Sequence, residues 1–147
     1  MRRLAALLAV LVLGTGPAHA LDDVDGDLVE PPKDKCPTVA EPDRTNGCPL
    51  VKREITRGYA PIDHLFIGEL SAPSKALYAR QTVYLYQRKT GKDPLLAKGR
   101  TRADGSYSVR FAATKATYYL KVKRTIDPRT GQAKRILTDD LVLHAIS

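Results

Sequence analysis

Three aspartates, Asp23, Asp25 and Asp27, alternate near the N-terminus, with Val24 and Gly26 between them. A calcium ion takes about six to eight hard oxygen ligands, and alternating carboxylates around a glycine let a loop curl until several oxygens converge. The spacing therefore points to a divalent-cation loop. Further along, Cys36 and Cys48 are the only cysteines, and each is followed by proline. An even pair in an oxidising compartment is read as a disulfide. The bridge Cys36–Cys48 would staple a loop holding Pro37, Pro42, Asn46 and Gly47 that has no apolar core of its own. A zinc site needs four ligands, and His64 and His144 lie far from the cysteines in sequence.

Other chemistry is sparse. The chain carries no G-x-S-x-G, no H-E-x-x-H and no phosphate-binding glycine loop, and its serines and threonines have no positioned base. His64 and His144 stand beside apolar residues, where histidine is more often structural than catalytic, and Asp139-Asp140 precede a strand pattern as a turn would. A non-enzymatic protein is expected.

The compartment follows from the first twenty residues. Arg2 and Arg3 precede an apolar run from Leu4 to Leu13, and Ala18-His19-Ala20 supplies a small-residue cleavage site, so residues 1–20 read as a secretory signal peptide. No later stretch is apolar enough to span a bilayer, and the expected product is secreted and extracellular, with no transmembrane segment. Charge divides what remains. Residues 21–50 carry eight acidic side chains against three basic ones, whereas residues 51–147 carry nineteen basic against eight acidic. An acidic, Cys- and Pro-rich arm thus precedes a basic body, with residues 51–62 read as a linker. A polyanionic partner, or the arm folding back on the basic body, would answer that asymmetry.

From residue 63 to residue 147 the apolar pattern has a period of two. "HLFIGEL", "QTVYLYQ", "SYSVRF", "YYLKVK" and "DLVLHAI" are short and rich in β-formers, with a sixth candidate at Lys134 to Leu137 and no helix of ten residues. Asp104-Gly105 reads as a hairpin turn joining the strand through Lys98, Arg100 and Arg102 to the strand from Ser106. Short strands at this spacing predict an all-β fold, a β-sandwich. Alternation puts Val83, Leu85, Tyr107, Val109, Phe111, Tyr118, Leu120 and Val122 in the core, and Lys98, Arg100, Arg102, Arg110, Lys121 and Lys123 on an opposite, basic face. Tyr78, Arg80, Tyr84, Tyr86, Arg88 and Lys89 interleave rings and cations, a composition suited to acidic glycans, cell-wall polymer or nucleic acid. The same residues also keep a small sheet soluble and discourage edge pairing. Nothing in them reads bases.

Two family resemblances carry further implications. "DVDGDLVEPPKDKCP" resembles a thrombospondin type-3 repeat, D-x-D-G-D-G-V-x-D-x-x-D-x-C-P, and "TNGCP" resembles its closing C-P. The resemblance implies calcium ligands at Asp23, Asp25, Asp27 and Asp34 and structural roles for Gly26, Val29, Cys36 and Pro37. This chain departs from the pattern at Leu28, where the repeat has its second glycine, and at Pro31, where it has an aspartate. The body is similar to secreted immunoglobulin-like domains of the carboxypeptidase-regulatory, transthyretin-like type, with Gly68, Val83, Leu85, Thr101, Asp104, Gly105, Tyr107 and Tyr119 on the motif positions. The hydroisourate hydrolases related to transthyretin end in Tyr-Arg-Gly-Ser; "LVLHAIS" does not.

The expected protein is therefore a secreted, non-enzymatic interaction or structural module, its partner an extracellular protein or a cell-surface or cell-wall polymer. Its arm is either a weakened calcium loop or a disulfide-ordered acidic linker. The alternative is a polyanion- or carbohydrate-binding module in which the basic face carries function.

Overall fold

The computed structural model describes residues 23–41 and 46–144. The expected signal peptide, and Pro42 within the disulfide loop, lie outside the described residues. The elements are β1 (Leu50–Val51), β2 (Glu54–Ile55), β3 (Gly58–Ala60), β4 (Leu65–Ser71), a one-turn helix α1 (Lys75–Tyr78), β5 (Thr82–Gln87), β6 (Leu95–Arg100), β7 (Ser106–Arg110), β8 (Ala116–Val122), β9 (Thr125–Asp127), β10 (Gly131–Ala133), β11 (Ile136–Leu137) and β12 (Leu141–Leu143). The fold is all-β, as the alternation predicts.

Two sheets form the sandwich. In the first, β4 pairs with β2 and β3 along one side and with β7 on the other. In the second, β5 lies between β6 and β8, and β8 carries β11 and β12 on its outer side. All these pairings are antiparallel. Their inner faces meet over Phe66, Leu70, Val83, Leu85, Tyr107, Val109, Tyr118, Leu120 and Val122, all at most 2% exposed. These are alternate residues on their strands, so the period-two pattern is what buries them. Phe111, expected in the core, is half-buried at its margin. The hydroxyl of Tyr107 donates to the Thr56 carbonyl. Burial pushes its phenol pKa well above the usual range.

The connection from β6 to β7 corrects the expected hairpin. β6 pairs with β5, whereas β7 pairs with β4 in the other sheet, so the chain passes from one sheet to the other along their shared edge at Thr101 to Gly105. The motif residues build this crossing. Thr101 donates its hydroxyl to the Tyr78 carbonyl and accepts the Gln81 amide, and Asp104 accepts both the amide and the hydroxyl of Ser106. Gly105 has φ +91°, and a β-carbon there would lie 2.2 Å from the Leu70 carbonyl oxygen. Its own carbonyl accepts the Leu70 amide 3.0 Å away, which ties the turn to β4 instead of zipping it onto β6.

The expected linker, residues 51–62, contributes to three strands. β2 and β3 both pair with β4, while β1 runs parallel to β10 in a small sheet with β9. Between them Arg53 is buried, donating to the carbonyls of Leu77, Lys123 and Lys134 at 3.3, 2.7 and 2.5 Å. Its bonds go to carbonyl oxygens and the Thr125 hydroxyl, and desolvation lowers its pKa. Arg53 thus knots β2 to the strand ends after β8 and β10. No helix among the described residues is long and apolar enough to cross a membrane.

Candidate cation site in the N-terminal arm

Cys36 and Cys48 are bonded, and both sulfurs are fully buried. Around the bridge the arm is fastened to the small sheet. Asn46 and Gln132 exchange amide hydrogen bonds of 3.1 and 3.4 Å, the Gln132 amide donates to the Pro49 carbonyl, and the Cys36 sulfur rests 3.6 Å from the Asp127 carbonyl. The fastening is therefore to β9 and β10. An arm folded across the basic sheet is not what these contacts describe.

The aspartates divide into turn-formers and free oxygens. Asp23 spends both carboxylate oxygens on the turn that follows it, accepting the amides of Gly26 and Asp27 on one and Leu28 on the other, at 3.0 to 3.2 Å. Gly26 and Leu28 both take left-handed backbone, φ +75° and +64°, which curls the chain back over the carboxylates. Asp27 accepts the Val29 amide on Oδ1 at 2.8 Å. Its Oδ2 has no partner among the described residues, although the residue is only 1% exposed. Both oxygens of Asp25 are likewise buried and without a partner among the described residues. One oxygen from each of Asp23, Asp25 and Asp27 falls within 4.8 Å of the others.

Asp34 comes to the same place from across the disulfide. Its Oδ1 accepts the Cys36 amide at 2.7 Å, and a β-carbon on Gly47 would stand 2.3 Å from that oxygen and 2.8 Å from Asp27 Oδ2. Gly47, with φ +66°, is thus the floor on which Asp27 and Asp34 converge. Three of the four aspartates of the resemblance, Asp23, Asp25 and Asp27, are brought together, and Asp34 approaches Asp27 over Gly47, a position the sequence reading used only as a turn residue. Its own signal was present, a glycine directly before Cys48.

Burying unpaired carboxylate oxygens is costly unless a cation or hydrogen-bond donor meets them. Hard carboxylates on a loop with left-handed bends form a donor set that could hold a divalent cation, the converging residues being Asp23, Asp25 and Asp27, with Asp34 near Asp27. Asp23 would serve chiefly by shaping the loop.

The basic residues are dispersed differently from the sequence expectation. Lys98, Arg100, Lys121 and Lys123 lie on the outer face of the β5–β6–β8 sheet. Arg102 and Arg110 belong to the other sheet: Arg102 bonds Ser106 at the start of β7, and Arg110 reaches the Asp63 carbonyl. The turn at Gly105 is the reason, since it carries β7 to the opposite layer before β8 returns to the first. Tyr78 and Arg80 lie off the outer face as well, Tyr78 packing against the core. His64 sits in the turn before β4 with Nδ1 3.4 Å from the Tyr59 hydroxyl, and His144 is exposed after β12. Asp140 pairs with Arg88 at 2.9 Å.

Comparison with protein-family models, with curated proteins and with solved structures finds no match for this chain.

Proposed function

We propose that the protein is an extracellular, non-enzymatic module whose N-terminal arm holds a calcium ion, and that the ion fixes the arm against the β-sandwich. The observation that carries this reading is the set of buried carboxylate oxygens on Asp25 and Asp27 that have no partner among the described residues, with Asp34 approaching Asp27 over Gly47. A calcium ion there would supply the positive charge that no described residue brings to these oxygens. Calcium suits the site better than magnesium because irregular loop geometry tolerates its flexible coordination, whereas magnesium demands a near-ideal octahedron. The arm's fastening through Asn46, Pro49 and Gln132 gives binding a route to the body. Secretion, which the N-terminal sequence supports, would expose the site to millimolar calcium.

The test is a thermal melt of the oxidised protein in EDTA and across a calcium series, with a parallel calorimetric titration. Binding to the native state raises stability by RT ln(1 + [L]/Kd), about 2.7 kcal/mol at a hundredfold excess over Kd. Asp25→Ala and Asp27→Ala should abolish both the heat and the shift. Equal responses in the wild type and both variants, or none in the wild type, would reject the calcium reading.

A further inference from the structure

The outer face of the β5–β6–β8 sheet carries cations and tyrosines in a regular array. Lys98, Tyr84 and Lys121 are directly opposed across three strands, so the two lysines flank the ring. Arg100 stands one outward position beyond Lys98, beside Thr82, and Lys123 stands one beyond Lys121. From strand geometry the array measures roughly 10 Å across the strands and 7 Å along them. Among the described residues, none of these four cations is within ion-pair distance of a carboxylate; Asp93 and Asp140, at the edge of the array, are both taken by Arg88. A shallow depression of about 410 Å³ opens between Tyr84, Lys98 and Arg100.

Tyrosine rings restrain two of the four cations. The ammonium of Lys123 lies 5.2 Å from the centre of the Tyr84 ring and that of Lys121 lies 5.5 Å from Tyr86. Tyr86 stacks on Tyr119 with centroids 5.3 Å apart, and the Arg88 guanidinium covers Tyr119 at 4.0 Å. Cation–π contact restrains long side chains without neutralising them. Each of the three rings already carries a cation or another ring, so the face offers ordered ammonium groups and hydroxyls rather than free platforms. Single-stranded nucleic acid is held by bases stacking on such platforms.

We propose that this face binds an acidic polysaccharide. Its carboxylate or sulfate groups would meet Lys98, Arg100, Lys121 and Lys123, and its hydroxyls would meet Thr82 and Tyr84 in the depression. The span between Lys98 and Lys121 is on the scale of one disaccharide, which lets a linear chain contact both rows at once. Arg102 and Arg110 take no part, since they belong to the opposite layer. The site is independent of the cation loop.

The experiment is retention and affinity on immobilised alginate and heparin in EDTA, so that calcium plays no part, with an oligothymidylate of equal charge as competitor. Three proteins are compared: wild type, the triple variant Lys98→Ala/Lys121→Ala/Lys123→Ala, and the charge control Arg102→Ala/Arg110→Ala, each checked by far-UV circular dichroism. The wild type should bind at least one glycan, with affinity falling as salt rises. The triple variant should lose about tenfold or more at low ionic strength, and the control should change by less than about threefold. Loss shared in proportion to charge removed, tighter binding of the oligothymidylate, or no retention on either glycan would overturn the proposal.

Discussion

Leu28 holds a left-handed backbone, φ +64°, with its side chain 85% exposed. An L-residue pays about 1–2 kcal/mol for that conformation, and here no buried contact of the side chain offsets it. Glycine would remove the strain but lose more freedom on ordering, leaving a net gain of about 1 kcal/mol. Leu28→Gly should therefore tighten calcium by about fivefold in a calorimetric titration. A weaker or unchanged affinity would mean that the turn at Leu28 is not part of the binding conformation. Asp127 offers a second residue-scale test. Hydrogen bonds from the Ser74 and Thr130 hydroxyls, 2.5 and 2.6 Å, and from the Arg129 amide hold its carboxyl below the ordinary carboxylate range. A depressed carboxylate stabilises the fold above its unfolded pKa and loses that contribution as pH falls through its folded value. Melts from about pH 6 to about pH 2 should show Asp127→Asn less stable at neutral pH and less acid-sensitive than wild type.

At the scale of the element, the sequence shows which residues face inward but not which layer they face from. Tyr107 and Val109 were legible as core because alternation alone decides that. The turn at Asp104-Gly105 has the same local chemistry whether β7 pairs with β6 or with β4; the ladder to β4, begun by the bond from the Leu70 amide to the Gly105 carbonyl, decides, and that partner is remote in sequence. The basic array inherited the same ambiguity, so Arg102 and Arg110 seemed to share a face with Lys98. β1, β2 and β3 escaped notice because strands of two or three residues are too short to display a period. In the arm, the aspartate spacing was legible and the role of Gly47 was not, because Asp34 reaches it only once Cys36 and Cys48 are joined. Gly47→Ala should place a methyl into Asp34 Oδ1 and Asp27 Oδ2 and strain a backbone at φ +66°. The calcium heat should vanish while the β-sheet circular dichroism persists.

Over the whole molecule, an acidic arm and a basic sandwich are joined through one disulfide loop and one small sheet. Closing a loop of this length restricts the open chain by about 3 kcal/mol in the chain-entropy estimate. If that order is what presents Asp34 to Asp27, replacing both cysteines by serine should weaken calcium by about a hundredfold in titration calorimetry. The sandwich, whose core lies elsewhere, should still unfold cooperatively. Calcium affinity unaltered by the double substitution would detach the cation loop from the disulfide.

The parallel pairing of β1 with β10 involves two residues on each strand and joins parts of the chain distant in sequence. A pull applied through the N-terminus of the arm would load this short seam before it reached the long antiparallel strands of the core. The seam would part first, paying out the Glu54-to-Ala60 stretch strand by strand while β4, β5, β7 and β8 stayed closed. A protein tethered through its arm would thus yield in a graded way under tension, with the sandwich as the last part to rupture.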